Sequence, residues 1–204
     1  DNMGVSRTTV RDALCRLENE GVVYRKQGAG TFVNPPGLQI KSRLEEIWSY
    51  EGVLQAHGYT PRIRLLSLET MPAPPEVAQK LGLAAKAPVL AAEKLFLEDD
   101  KPAILVRNFI PSALITRPYQ PDDCQLPVYE FLSQFCQQSL NYYLSELAPV
   151  VADGGLAEKL DVVAGTAVLS FAEIGYNDDN QPILTATSYF RDDLLRFRIM
   201  RRQT

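Results

Sequence analysis

The stretch VSRTTVRDALCRLENEGVVYRKQGAGTFV, residues 5–33, decides how the first part of this chain folds. From Thr8 onward its apolar side chains recur at helical spacing, so one face of a helix is predicted to be buried. These apolar side chains are Val10, Ala13, Leu14 and Leu17. Ser6 is a suitable N-cap for the helix and Gly21 ends it. Two short strand-like runs follow at residues 22–24 and 31–33, so the first 33 residues are predicted to form helix, turn, helix and a tight hairpin.

The start of this helix carries side chains suited to nucleic acid. Arg7 and Arg11 are four residues apart and project from one side of the helix. Free backbone N–H groups and the positive end of the helix dipole lie at the same place. Thr8 and Thr9 can donate hydrogen bonds to phosphate or base edges, and arginine can bind O6 and N7 of guanine together. The motif favours a recognition helix in the major groove, although an amphipathic helix with solvated charges explains the helix alone equally well.

The hairpin that follows is basic and rich in glycine. Arg25 and Lys26 lead into the tip Gln27-Gly28-Ala29-Gly30, where glycine lets the backbone approach a second surface closely. The pattern is typical of a wing that lies along the DNA backbone or in the minor groove. An ordinary glycine-rich hairpin is the alternative.

Length and composition indicate a globular protein with room for a small module and one ordinary domain. The chain has 204 residues, of which 46% are hydrophobic and 23% charged, and its net charge is −4. Residues 1–33 carry five basic against four acidic side chains, so the overall acidity does not exclude a local DNA-binding surface. No apolar run is long enough for a membrane span and no signal pattern is visible, so we expect no membrane partner. Three scattered cysteines fit neither a disulfide framework nor a zinc site and favour a reducing cytoplasm.

An internal repeat organises the rest of the chain. Residues 34–37, Asn-Pro-Pro-Gly, are predicted to form a stiff linker, and a short helix is predicted through Leu44, Ile47 and Trp48. Beyond them, AQKLGL at 78–83 resembles AEKLDV at 157–162, and the match extends through a strand-like run to an acidic turn. Each copy is predicted to be helix, strand, hairpin turn and strand. Two copies predict one mostly antiparallel sheet with helices to one side, and a ligand pocket where the copies meet.

Residues 5–33 resemble the GntR family of bacterial regulators at nearly every position. The resemblance implies a winged-helix DNA-binding domain over residues 1–33, with a further helix and a capping strand that would precede residue 1. It implies a linker over 34–40 and an effector-binding and dimerisation domain over 41–204. By the same resemblance, DNA contacts are assigned to the helix start and the wing tip, namely Ser6, Arg7, Thr9, Arg11, Gln27 and Gly28, to which the chemistry of the helix adds Thr8.

The remainder is similar to the effector (UTRA) domain of the HutC-type branch, whose fold is related to chorismate lyase. Five segments carry this resemblance: HGYTPRIRLLSLE, VAQKLGL, LEDDKPAILVRNFIP, LPVYEFL and NDDNQPILTATSYFRDDLLRFRI. The implied fold class is α+β, a partial winged helix-turn-helix followed by a mostly antiparallel sheet with flanking helices.

The expected effector pocket departs from the sugar-phosphate pattern of this branch. Two strand arginines are replaced by Lys94 and Phe96, a Ser-x-Tyr by Pro127 and Tyr129, and a strand glutamate by Leu184. We therefore predict Lys94, Phe96, Tyr129 and Leu184 as effector-binding residues, for a partly apolar effector with at most one anionic group. The alternative is that Phe96 and Leu184 are core residues, as large apolar side chains on strands more often are.

Nothing in the sequence assembles an active site. His57 is the only histidine, Glu146 and Glu173 have no fixed separation, and no catalytic triad, metal-ligand spacing or cofactor motif is visible. We therefore expect no catalytic residues, metal or cofactor. The prediction is a cytoplasmic homodimeric regulator, a repressor released from double-stranded operator DNA by a small-molecule effector. A chorismate-lyase-like enzyme and a stand-alone small-molecule sensor are the alternatives.

Overall fold

The computed structural model describes residues 4–38, 46–195 and 197. The chain divides into two compact units between Glu46 and Ile47, and Phe197 belongs to the first of them. This division falls six residues beyond the end of the predicted linker.

The first unit is a helix followed by a hairpin and one further helical turn. Its elements are α1 (Arg7–Asn19), β1 (Val23–Lys26), β2 (Gly30–Val33) and α2 (Pro35–Leu38). The two strands pair antiparallel from Val23 opposite Val33 to Lys26 opposite Gly30. The predicted stiff linker is therefore helical in part, because prolines at the first positions of a helix need no backbone N–H.

The prediction that α1 buries one apolar face is wrong for the described residues. Leu14 and Leu17 are half-buried, whereas Val10 and Ala13 are exposed. The physical reason is that α1 meets β1 through its C-terminal half, where Cys15 and Glu18 contact Arg25, and no described element of this unit covers its N-terminal half.

The second unit is one six-stranded sheet with short helices. Its helices are α3 (Tyr50–Ala56), α4 (Pro75–Lys80), α5 (Val128–Cys136) and α6 (Gly154–Leu160), and two 3₁₀ helices lie at Ser112–Leu114 and Pro121–Gln125. Its strands are β3 (Pro61–Pro72), β4 (Pro88–Glu98), β5 (Lys101–Pro111), β6 (Leu140–Val151), β7 (Ala167–Asn177) and β8 (Pro182–Phe190). Their order is β3-β4-β5-β8-β7-β6, and each of these neighbouring strands pairs antiparallel with the next.

The internal repeat appears in the sheet as two equivalent halves. The β3-α4-β4-β5 half corresponds to β6-α6-β7-β8, and the halves join where β5 pairs with β8. Each copy thus contains one strand more than the sequence predicted. The antiparallel sheet and the α+β class are confirmed.

Helices cover both faces of the sheet, so the prediction of helices on one side is wrong. Helices α4 and α6 pack on one face, against Val89 and Leu95 of β4. Helix α5 packs on the other, against Leu90 of β4 and Ile110 of β5. Strands β4 and β5 are apolar on both faces for this reason, since each face has its own cover.

The predicted helix around Trp48 begins later than expected. Ser49 is the N-cap of α3 and its side chain accepts a hydrogen bond from the Gly52 N–H at 3.0 Å, so Ile47 and Trp48 precede the helix. Leu44, the other residue of that prediction, lies outside the described residues. The Trp48 ring packs instead on Phe171 and Phe190 of the sheet.

Candidate functional sites

The N-terminus of α1 presents an exposed, positively charged surface. Arg7, Thr8 and Arg11 are exposed, and the first turn contains no acidic residue. The Ser6 hydroxyl accepts a hydrogen bond from the Thr9 N–H at 3.1 Å and lies 2.8 Å from the Thr9 hydroxyl. Ser6 and Thr9 therefore order the helix start, and the two arginines extend from it toward solvent.

The wing tip is a turn that only glycine accommodates without strain. Gly28 and Gly30 have φ of +75° and +117°, and the Ala29 N–H donates to the Lys26 carbonyl at 3.0 Å. Gln27 and Gly28 are exposed at the tip. The tip can therefore approach a flat surface through its backbone.

Arg25 is held against α1 and does not extend from the wing as a free cation. Its guanidinium donates to Cys15 Sγ at 2.9 Å and lies 3.0 Å from the Glu18 carboxylate, and these contacts raise its pKa. The sequence pattern predicts that Arg25 and Lys26 lie together beside the wing tip. In the structure the two side chains point to opposite sides of β1, because side chains alternate along a strand, and Arg25 lies on the side that contacts α1.

In the second unit, a small cavity lies between the sheet and its α5 cover. Its volume is about 20 Å³, room for roughly one water molecule. Strands β4 and β5 line it from one side, and the second 3₁₀ helix, the following loop and α5 line it from the other. The lining residues are Leu90, Ala92, Lys94, Asn108, Ile110, Cys124, Leu126, Val128 and Phe131.

Lys94 is the only cationic side chain among these lining residues, and it is only 3% exposed. Its ammonium donates to the Leu126 carbonyl at 2.9 Å and lies 5.8 Å from the centre of the Phe96 ring. Burial lowers the pKa of Lys94 to about 8, and the carboxylate of Glu51 on α3 opposes that decrease. Burying a charged group this deeply is costly unless it is paired and hydrogen-bonded.

Two buried oxygens near Lys94 accept no hydrogen bond from the described residues. Asn108 Oδ1 lies on β5 in the cavity wall, and Asn108 is 4% exposed. Glu51 Oε2 is the second. Burial raises the pKa of Glu51, which Lys94 partly counteracts.

A second polar group lies on the same face of the sheet, at the repeat-equivalent position. Glu173 of β7 accepts a hydrogen bond from the Ser145 hydroxyl at 2.5 Å, and burial raises the pKa of its carboxyl. Burial and this carboxylate together raise the pKa values of Tyr50 and Tyr143. This acidic group is the repeat counterpart of the basic group around Lys94.

The structure distributes the predicted effector residues unevenly. Lys94 lines the cavity, whereas Phe96 packs on the Tyr50 ring at 5.0 Å. Leu184 is fully buried in the apolar cluster that joins α5 to the sheet. Tyr129 is half-buried on α5, next to the lining residue Val128. Of the four, Lys94 alone is in the cavity wall, so the other three remain predictions without a cavity contact.

Sequence reasoning missed Asn108 and Glu51. An asparagine inside the otherwise apolar run AILVRNFIP was an available signal for Asn108, because a polar residue facing the core of a strand needs a partner. Glu51 carried no comparable signal, since an acidic residue in the first turn of a helix is ordinary.

The other candidate chemical groups do not converge. His57 is the C-cap of α3, with its Nδ1 2.8 Å from the Val53 carbonyl. Glu146 of β6 pairs with Ala172 of β7, the residue before Glu173. Because successive side chains of a strand point to opposite faces, Glu146 and Glu173 lie on opposite faces of the sheet. The three cysteines are free, and burial raises the pKa of Cys124 to about 11. Within the described ranges no cluster of potential metal ligands occurs, and no helix there has the length and apolarity to span a membrane.

Comparison with known proteins finds a family match for each part of the chain. The family model "UTRA domain" matches residues 56–196, and "Bacterial regulatory proteins, gntR family" matches residues 1–33. The HTH-type transcriptional repressor NagR of Bacillus subtilis is 27% identical over 197 residues, which cover 97% of this chain and 80% of NagR. The histidine utilization repressor of Pseudomonas aeruginosa is 28% identical over 159 residues, covering 78% of this chain and 58% of that protein.

Solved structures share the fold at low sequence identity. YydK of Bacillus subtilis superposes with a TM-score of 0.76 at 15% identity and covers 98% of this chain and 85% of its own. PhnF of Mycobacterium smegmatis superposes with a TM-score of 0.68 at 24% identity and covers 99% and 88%.

An exposed basic helix start with a wing, followed by a UTRA sheet with a small cavity beside Lys94, defines a ligand-responsive DNA-binding transcription regulator. The UTRA match covers more than half of the chain, and the chain belongs to the GntR family of bacterial regulatory proteins that carry a UTRA domain. The expected family, fold class and regulator function are thereby confirmed.

Proposed function

We propose that this chain is a repressor that binds a palindromic operator as a homodimer and releases it when a small molecule binds beside Lys94. The observation that carries the proposal is the buried ammonium of Lys94 in a cavity wall that is otherwise nearly apolar. The cost of burying that charge is recovered when an anionic or strongly accepting ligand meets it. Because a bacterial operator lies on DNA in the cytoplasm, we propose that the protein acts there.

The start of α1 and the wing are the parts that would contact DNA. Arg7 and Arg11 are exposed on a helix end that favours anions, and either can contact guanine or phosphate. Ser6 and Thr9 set the geometry of that end, and Thr8 adds a hydroxyl beside it. Gln27 and Gly28 would follow the backbone of the adjacent DNA. The predicted DNA-binding set is therefore retained as a proposal.

Dimerisation supplies the second half-site. One short recognition helix buries too little surface for tight specific binding, so each protomer would occupy one half of a palindrome. The larger unit is the proposed site of dimerisation. A ligand changes DNA affinity only if it binds the two arrangements of the dimer unequally.

The contact between Lys94 and Leu126 is where the ligand would act first. A ligand acceptor that binds the Lys94 ammonium competes with the Leu126 carbonyl, which follows the second 3₁₀ helix directly. The cavity of about 20 Å³ must also widen before an effector fits. Binding would therefore displace the segment that covers the cavity, and the displacement is the proposed start of the signal.

DNA binding is tested with a duplex selected from a random-sequence pool by the protein itself. Arg11→Ala should cost about 1–3 kcal/mol on the selected duplex, with little loss on random DNA, if Arg11 reads a base. Arg16→Ala is the matched control, since Arg16 lies exposed on the same helix and pairs with Glu20. An equal loss on both duplexes would assign Arg11 to phosphate, and no loss would remove it from the interface.

The effector site is tested by a thermal-shift screen of the full chain against central metabolites, with Lys94→Met in parallel. A compound that stabilises the native protein and releases the selected duplex, and that does neither with Lys94→Met, supports the proposal. A releasing compound that acts equally on both proteins would place the effector site elsewhere.

A further inference from the structure

The hydrogen-bonding groups of the cavity wall show which chemical class of effector it accepts. Asn108 Oδ1 is a buried acceptor for which the described residues provide no donor. Buried polar groups in native proteins nearly always have a partner, so an exception in a cavity wall indicates a group supplied from outside. The ligand is therefore expected to supply a hydrogen-bond donor to Asn108 Oδ1.

Lys94, by contrast, needs a hydrogen-bond acceptor on the ligand. An ammonium has three N–H donors, and the described contact to the Leu126 carbonyl uses one of them. The other side chains of the cavity wall are apolar, apart from Asn108 and the thiol of Cys124. An acceptor with several lone pairs, such as a carboxylate, fits this position best.

The charge near the cavity limits the ligand to one negative charge. Lys94 is the only cation in the lining, and the carboxyl of Glu51 is close enough to act on it electrostatically. Glu51 in turn is affected by Glu130 of α5. A doubly charged phosphate monoester would meet one cation with the carboxyl group of Glu51 nearby, which leaves its second charge uncompensated in a buried site.

The two groups are also close enough to bind one small molecule. Lys94 pairs with Val106 across the sheet, and Asn108 pairs with Ala92, so the two are diagonal neighbours on adjacent strands. Diagonal neighbours on one face are about 7–8 Å apart at their Cα atoms. Both side chains also line the same cavity of about 20 Å³, so the acceptor and the donor of one ligand have to lie close together to reach both.

We propose that the effector is a small monocarboxylic acid with an apolar body and a hydroxyl, amide or amine group near the carboxylate. The carboxylate binds the Lys94 ammonium, the donor group binds Asn108 Oδ1, and the apolar body packs on Leu90, Ile110 and Phe131. This assignment rests on the proposed function, since it takes the cavity beside Lys94 as the effector site.

The experiment compares matched probes by calorimetric titration of the full chain. Hexanoate supplies the carboxylate and the apolar body alone, 3-hydroxyhexanoate adds one donor, and butyl phosphate replaces the carboxylate by a dianion. We expect 3-hydroxyhexanoate to bind at least tenfold more tightly than hexanoate, and butyl phosphate more weakly than both. Equal affinities for the two carboxylates, or no binding of either, would overturn the assigned class.

Three variants connect the preference to its residues. Asn108→Leu should reduce the affinity for 3-hydroxyhexanoate to that for hexanoate, whereas Asn108→Gln keeps a neutral amide acceptor and should keep part of the preference. Ser170→Ala is the control, because Ser170 is buried on β7 and pairs with Tyr189 on the opposite face of the sheet. A preference that persists in Asn108→Leu would refute the role of Asn108.

The outcomes separate the ligand class from the proposed function. If Lys94→Met abolishes binding of hexanoate while the hydroxyl adds nothing, the class is wrong and the cavity remains the effector site. If Lys94→Met leaves binding of both carboxylates unchanged, they do not occupy the Lys94 cavity, and the class assignment fails. In that case the metabolite screen decides independently whether any releasing compound depends on Lys94.

Discussion

Replacing the buried Lys94 by methionine should stabilise the second unit at neutral pH and abolish its response to effector. The methionine side chain has nearly the same length and carries no charge, so it fits the space between β4 and the loop at Leu126. Because Lys94 is only 3% exposed, solvent screens its charge little. The cost of the charge is therefore fully expressed in the free energy of unfolding.

The magnitude follows from the pKa of Lys94. Burial lowers that pKa from its ordinary value of 10.5 to about 8, and each pKa unit corresponds to about 1.4 kcal/mol. The folded state pays about 3 kcal/mol to keep Lys94 charged below pH 8. The loss of the hydrogen bond to the Leu126 carbonyl offsets about 1 kcal/mol of this. The expected net gain at pH 7 is about 2 kcal/mol, or roughly 4–8 °C in Tm.

The sign of the pH dependence separates this explanation from simple improved packing. Between the folded pKa of about 8 and the ordinary value of 10.5, the unfolded chain binds more protons at Lys94 than the folded protein. The stability of the native protein at this site therefore rises with pH across that window. The advantage of Lys94→Met should accordingly decrease from about 2 kcal/mol at pH 7 to nearly zero at pH 10.

Urea unfolding at both pH values measures this, with the fluorescence of Trp48 as the signal. Trp48 is the only tryptophan in the sequence and packs on Phe171 and Phe190, so it reports on the second unit. Lys80→Met on α4 is the control, because its exposed side chain has no burial cost. A gain that is the same at pH 7 and pH 10, or a variant less stable than the native protein at pH 7, would refute the reasoning.

Three further changes test other parts of the structure. Asn108→Leu removes a buried acceptor without a described partner, and urea unfolding should show a gain of about 1–3 kcal/mol; a loss would mean that Asn108 is already satisfied. Gly37→Ala places a Cβ 2.0 Å from the Gly21 carbonyl oxygen and should destabilise the first unit, so the variant should lose DNA binding at a lower temperature than the native protein; an unchanged temperature would contradict that contact. Arg191→Met removes the hydrogen bonds to the Leu160 and Pro102 carbonyls, at 3.1 and 3.2 Å, and the ion pair with Asp193; it should cost about 1–3 kcal/mol in Trp48-monitored unfolding, whereas a neutral result would show that water replaces these contacts.

Features that depend on neighbouring residues in the chain were predictable. The N-cap at Ser6, the glycine turn at the wing and the acidic hairpin turns of the repeat need only local backbone preferences, and those preferences act within a few residues. The antiparallel sheet followed from the repeat, because two hairpins of the same kind can share one sheet.

Features that depend on which elements meet were not predictable. The pattern of α1 predicts a buried face, yet burial requires a partner element, and Val10 remains exposed among the described residues. The apolar runs of β4 and β5 are compatible with a cover on one face or on both, and only the placement of α5 shows that both are covered.

The sequence by itself determined the two kinds of unit, the family and the chemistry available at the start of α1. Tertiary structure alone decided which charged residue of the pair Glu93-Lys94 enters the cavity. The two side chains point to opposite faces of β4, where Glu93 binds Lys159 of α6 at 2.6 Å and Lys94 meets the Leu126 carbonyl. The sequence does not show which of two consecutive strand residues will face the cavity, because the environment of each face is formed by segments that are distant in the chain.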